Sequence, residues 1–385
     1  MKIVAGLSSI DDYIRLVNAG ADEVFIGYIP LEWTKTYGNL FPLNRRENLY
    51  FNSQIKSFED MKILKKMVDV YNVPVSITFN NIYYIEEQYE LIGKIIRKLI
   101  DIGFERFIIA DIGLLLYLSQ NNIKCSVHLS GECAETNRYS IEFFNKLNIT
   151  RYIFNRKNSI EEIKSCINYT SDTHINDNDM NNEEMNNMHH MEKAAAYKKE
   201  DKDDELHSYE IIDLNDNMPA IEYEAFILNE RCHYTGAFCS SLHCDEMIHL
   251  CEMPFNIGKV DELSYDFPEC DKRFEEYYEH AYEVDKNMGN SAENEYKLGF
   301  TGCGLCSLKK LQMAGITHLK VVGRGNSIKN IEKDVISLKR ALSMIEDTED
   351  CKAYENRIKN ELFKGRCSEK CYYSEGSREN TIMNS

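Results

Sequence analysis

Apolar positions along this chain keep two rhythms in turn. Short β-branched or aromatic runs read as strands, and longer stretches with apolar residues every three or four positions read as amphipathic helices. Strands are predicted over residues 2–6, 23–27, 73–79, 106–111, 124–129 and 151–155. Helices are predicted over 10–19 (closed by Gly20), 58–71, 86–102, 112–120, 135–147 and 160–167, with an irregular loop through Trp33, Phe41, Arg45 and Arg46. Six strand–helix units in succession predict a parallel sheet with right-handed crossovers. The rhythm then fails between about residues 169 and 216, a stretch rich in Asn, Asp, Glu and Met. Such a segment cannot bury enough apolar surface to order itself, and is expected to be a disordered insertion. A strand over 223–228 restores the pattern. After a second acidic, Tyr-rich insertion at about 260–296 come a helix over 308–314, a strand over 318–322 and a helix over 328–345.

Eight strands, each followed by a helix or loop, predict an α/β fold of the TIM-type (β/α)8 barrel kind, complete or distorted. The competing architecture is a doubly wound open sheet. Its nucleotide-binding form is weakened because no Gly-x-Gly-x-x-Gly turn follows the first strand. The expected organisation is residues 1–168 for the first six units and 169–217 for the acidic insertion. Residues 218–346 carry the last two units, with the second insertion inside them, and 347–385 a C-terminal tail.

Charge refines this picture. The formal net charge of −18 argues against general affinity for nucleic-acid backbones. Residues 171–217 alone hold 14 acidic residues against 4 lysines, about −10, so the remainder is only mildly acidic and leaves room for a local basic groove. The N-terminus lacks the charged and apolar regions of a secretory signal, and no apolar run approaches the roughly 18 residues of a membrane span. A cytoplasmic protein is expected, in which 13 cysteines are poor candidates for disulfides.

Six of those cysteines lie in the stretch between the last two strands and flank their ends: Cys232, Cys239, Cys244 and Cys251, then Cys303 and Cys306. Thiolates are soft ligands suited to iron–sulfur clusters and to zinc. Structural zinc usually shows paired Cys-x2-Cys knuckles on both sides, and only Cys303/Cys306 has that spacing, so a cluster is the favoured reading and zinc its alternative. Buried apolar packing accounts for Cys125, Cys166 and Cys133. Cys367 and Cys371 form a separate pair, either accessory ligands or a lid contact, or free thiols in a tail. The pair His189–His190 reads as part of a solvated loop.

The last strand runs into Gly323-Arg324-Gly325-Asn326-Ser327 and a helix. Glycines beside Arg324 permit close backbone approach, and helix N-terminal amides favour anions, which makes Gly323, Arg324 and Asn326 candidate anion binders on the barrel rim. A plain strand–turn–helix connection with a solvated arginine is the equal alternative. At other strand ends, Asn80 is a candidate substrate contact, and Asp111, His128 and Glu132 are candidate acid–base groups. A histidine satisfied within the core is the competing reading of His128. Neither His-Glu-x-x-His nor Gly-x-Ser-x-Gly is present, so no hydrolytic machinery is visible.

Several of these segments together resemble peptidase family U32. Residues 19–27 (AGADEVFIG) resemble its AGADAVYLG opening, and residues 110–114 resemble its xDLGLL segment. Residues 135–137 resemble the end of its strand-five motif, Cys232 and Cys239 its Cys-x6-Cys, and residues 314–324 (AGITHLKVVGR) its AGVDSLKIEGR. The resemblance implies a 4Fe–4S cluster on a barrel-like domain. Cys232 and Cys239 would be the first two ligands, Cys303 the fourth, and Cys251, followed by Met-Pro-Phe, the nearest to a third. Cys244 and Cys306 are additional. It further implies a hydroxylation enzyme acting on an RNA base or a small aromatic quinone precursor, with a carboxylate co-substrate and a heteromeric partner of the same family. Two other functions remain open: a peptidase, as the family label says, and a non-catalytic metal-binding scaffold or partner subunit.

Overall fold

Runs such as Ile-Val-Ala, Val-Phe-Ile and Val-Ser-Ile-Thr-Phe are too short for helices and too apolar for solvent, and they pair side by side. The computed structural model describes residues 1–38, 41–45, 54–133, 137–145, 147, 149–172, 221–231, 296–299, 301–324, 326–365 and 370–373. Nine parallel strands occur among them: β1 (Lys2–Gly6), β2 (Glu23–Tyr28), β3 (Gln54–Ile55), β4 (Val75–Phe79), β5 (Arg106–Ile109), β6 (Ser126–Leu129), β7 (Ile149–Ile153), β8 (Glu222–Leu228) and β9 (His318–Val321). β1 pairs with both β2 and β9, Lys2 lying opposite His318 and Val4 opposite Glu23, so eight strands close into a barrel. The ninth, β3, is a two-residue addition to the end of β2. The TIM-type architecture is thereby established, and the open doubly wound sheet is not what forms.

The helices are α1 (Tyr13–Ala19), α2 (Leu31–Tyr37), α3 (Phe58–Tyr71), α4 (Glu86–Asp101), α5 (Ile112–Gln120), α6 (Arg138–Asn145), α7 (Ile160–Asp172), α8 (Leu308–Met313), α9 (Ile328–Ser343) and α10 (Cys351–Phe363). Two differ from expectation. α2 lies in the stretch read as irregular loop; it buries Trp33, whose indole N–H donates to the Phe41 carbonyl at 3.0 Å. α10 lies within the expected tail; Asp350 caps it, and Tyr354 and Ile358 bury one face, the Tyr354 hydroxyl donating to the Ala341 carbonyl. The acidic stretches at 173–220 and 232–295 lie outside the described residues.

Strand alternation sorts the side chains into two cores. Val24 and Ile26 face outward into the main core beneath the helices, while Phe25 faces the lumen with Val4, Ile108, Ile153, Phe226 and Val322. Below this apolar layer, towards the strand N-termini, the lumen is charged. Buried Arg151 donates to Glu23 at 2.8 Å and to Glu224 at 3.0 Å, Lys320 to Glu224 at 2.6 Å, and His318 lies 3.2 Å from Glu23. Burial disfavours the charge on Glu23, but hydrogen bonds from His318 and Arg151 and their positive charge outweigh it, and its pKa ends far below the usual range.

Candidate functional site

The C-terminal ends of the strands form a mouth, and Arg324 stands at its centre. It follows β9 and is 4% exposed. Its guanidinium donates to Thr78 Oγ1 at 3.0 Å and to the Arg45 carbonyl at 3.4 Å, and lies 5.5 Å from the Phe25 ring centre. Glycine makes this position available. A Cβ on Gly27 would stand 2.5 Å from Arg324 Nη1 and 1.5 Å from Gln54 Oε1, so β2 must lack a side chain there.

Arg45 is the hub of the mouth. Its backbone N–H donates to Asn80 Oδ1 at 3.2 Å, and its guanidinium donates to Glu132. Glu132 bridges to a third arginine, Arg156, whose guanidinium lies 4.0 Å from the centre of the Phe226 ring. Arg45, Arg156 and Glu132 have side chains only 10–12% exposed. Among these four side chains three are positive and one negative, in a largely desolvated rim. Forked guanidiniums on a low-dielectric floor suit a planar carboxylate or a phosphate.

The structure therefore brings together Arg324, Asn80 and Glu132, and joins them through Arg45. It sets the other candidates apart. Asp111 caps α5, accepting from Leu114 N–H at 2.6 Å, and also accepts from Tyr84 N–H at 2.8 Å and the Tyr89 hydroxyl at 3.2 Å. His128 is 2% exposed in the lumen, 3.5 Å from Ser76 Oγ. Burial, reinforced by Arg151, holds its pKa well below the usual value, so it is neutral at pH 7. Gly323 adopts φ +133, and the Asn326 N–H donates to its carbonyl at 2.9 Å, shaping the turn into α9. Arg45 and Arg156 were not singled out from sequence. The signal for Arg156 was its place immediately after a strand, and for Arg45 its place in the loop after β2.

The thiols divide the same way. Burial pushes Cys125 up to about 12 and Cys133 up to about 11, and Cys166 is buried in the core: these three are apolar filling. Cys232, Cys239, Cys244 and Cys251 lie outside the described residues, as does Cys367. Cys303 is buried beside the end of β8, pairing with Leu228 on one side and with Cys371 on the other. Cys306 sits on the 3-10 turn Leu305–Ser307 that follows, against which α10 packs. Among the described residues no group of three or more His, Cys, Asp or Glu is assembled that could hold a metal ion by itself. No described helix is long and apolar enough to cross a membrane.

Compared with known families, residues 8–177 match the model described as peptidase family U32. The matched stretch covers 170 of the 385 residues. It runs from just past β1 through α7, and so includes Arg45, Asn80, Asp111, His128, Glu132 and Arg156 of the mouth and lumen. No curated protein matches the chain. Among solved structures, the U32 peptidase Mk0906 aligns at TM-score 0.34 and 8% identity over 59% of this chain and 68% of that one. A native KDPGal structure aligns at TM-score 0.37 and 8% identity over 90% and 97%, and 2,3-dimethylmalate lyase at 0.29 and 11% over 44% and 64%.

Proposed function

We propose that the barrel mouth is the active site of a cysteine-ligated iron–sulfur enzyme that uses a small carboxylate co-substrate in a hydroxylation-type reaction on an RNA base or small aromatic molecule. The observation that supports it is the convergence of Arg45 and Arg156 on one carboxylate, Glu132, with Arg324 donating to the Arg45 carbonyl, at the same strand ends where Cys303 pairs with Leu228. The donor set fits a soft metal: Cys303 and Cys371 lie paired at the rim, and Cys232 follows Arg231, whose N–H donates to the Thr301 carbonyl at 2.8 Å. Cys232, Cys239 and Cys303, with a further thiolate, would hold the cluster, which when bound supplies one-electron chemistry.

The residues of the chain do the rest. The arginine forks bind and orient the co-substrate carboxylate, and Glu132 acts as the counter-ion that it displaces or shares. Phe25, Ile108, Phe226 and Val322 form an apolar floor that excludes water and suits a ring. His128, neutral and below that floor, is placed for hydrogen bonding inside the lumen. Anaerobically purified protein is expected to be brown and to contain iron and acid-labile sulfide, both lost in a Cys232→Ala/Cys239→Ala variant. Colourless protein with stoichiometric zinc overturns the cluster. Hydrolysis of gelatin or casein that survives loss of those cysteines makes the protein a peptidase instead.

A further inference from the structure

Residues 370–373 return to the barrel mouth, in keeping with the lid-contact reading of Cys371 rather than the free-tail one. Four hydrogen bonds fix them there. The Cys303 N–H donates to the Lys370 carbonyl at 2.9 Å, and the Tyr372 N–H donates to the Cys303 carbonyl at 2.8 Å. The Tyr372 hydroxyl donates to the Asn229 carbonyl, and the Tyr373 hydroxyl to the Phe226 carbonyl at 2.7 Å. Tyr372 also joins the apolar layer of the lumen. These bonds flank Cys371 on both sides and make it the direct parallel partner of Cys303. Paired backbones run about 4.8 Å apart, and directly opposite residues project to the same face, so the two thiols share one small volume.

Space has been left at that volume. Gly299 has φ +69, and a Cβ there would stand 2.6 Å from Cys303 Cβ and 3.1 Å from its sulfur. A side chain at 299 would fill the approach to the thiol.

We propose that Cys371 is a thiolate ligand of the same metal centre as Cys303, and that it takes the place otherwise expected of Cys251. This rests on the reading of the mouth as a metal centre. The C-terminal strap then closes the centre over the lumen, with Tyr372 and Tyr373 anchoring the loop that carries the ligand.

The full chain, purified anaerobically and reconstituted with ferrous iron and sulfide, tests this in two ways. In the unaltered protein, N-ethylmaleimide followed by peptide mass spectrometry should leave Cys371 unmodified while iron is bound and label it after iron is chelated. Cys351, on the first turn of α10, should label in both states. Among variants, Cys371→Ala should lose at least half the iron and sulfide per chain. Cys371→Ser, nearly isosteric, should retain iron with a shifted paramagnetic resonance spectrum in the reduced state, and Cys251→Ser should match the parent. Equal labelling of Cys371 with and without iron, or full iron with an unchanged spectrum in both Cys371 variants, overturns the proposal while the metal centre stands. Loss of iron on Cys251→Ser with Cys371→Ser unaffected does the same. If the parent protein binds neither iron nor sulfide, the metal-centre reading falls and takes the proposal with it.

Discussion

Arg324 is held by geometry that lysine cannot copy. Its planar fork reaches Thr78 and the Arg45 carbonyl together, through space opened by Gly27. Arg324→Lys keeps the charge and loses the fork. It is expected to weaken binding of a small dicarboxylate such as malonate about tenfold or more by calorimetry, with little change in melting temperature. An unchanged affinity would remove Arg324 from the site. Glu132→Gln acts in the other direction: it frees Arg45 and Arg156 of their shared carboxylate and should tighten malonate binding, whereas weaker binding would show that Glu132 helps recognise the ligand. Of these residues Arg324 was legible in the sequence, because glycines flank it at the end of a strand. Arg45 and Arg156 were not. Residues 45, 156 and 324 are more than a hundred positions apart in sequence, and only closure of the barrel makes them neighbours.

At the scale of elements, α9 is fastened to the end of β8 through one buried carboxylate. Asp334 accepts from Asn229 Nδ2 at 2.7 Å and from the Tyr296 hydroxyl, and Asn229 also donates to the Val322 carbonyl at 3.1 Å. Burial raises the Asp334 pKa from 3.8 to about 6, against the opposing pull of those two hydrogen bonds. The folded state therefore holds a proton more tightly than the unfolded one. The stability this contributes is complete below about pH 3.8 and is lost as pH rises through about 6, a change on the order of 3 kcal/mol. Denaturant midpoints of the parent protein should carry this falling component between pH 4 and 6, and Asp334→Asn should remove it. A variant with the same pH slope as the parent would refute the assignment. The long helices α3, α4, α5 and α9 could be read from their apolar period with bounds within two residues. α2 could not, since seven residues make only two turns, and α10 hides because Tyr354 and Ile358 are its only fully buried apolar residues in a charged stretch.

For the whole molecule, the eight barrel strands were legible because each is a short apolar run between polar turns. The charged lumen was not, because Arg151, Glu224 and Lys320 within strands read equally well as solvated faces. Arg151 there compensates Glu23 and Glu224 together, so removing it takes a positive partner from two buried carboxylates and leaves Glu224 to Lys320 and Glu23 to His318 and Arg106. Arg151→Met should destabilise the fold by about 3–5 kcal/mol near neutral pH in denaturant titration. The pH dependence follows from Glu23, whose pKa is depressed in the folded state. Its contribution is present above about 4.5 and is lost as pH falls towards the folded value, so the parent should weaken in acid. The variant should weaken far less over that window, and equal acid sensitivity in both would mean that Arg151 is not the partner that matters.

The seam between β1 and β9 also sets a timetable for synthesis. Gly6 leaves the ribosome 312 residues before His318, an interval on the order of tens of seconds at ordinary translation rates. Until then β1 and β8 are open edges of a seven-stranded sheet, and Arg151 with Glu23 and Glu224 waits for His318 and Lys320. A nascent chain stalled before residue 318 thus exposes two unpaired strands and a half-compensated charge cluster at once, the state in which a holding chaperone has most to bind.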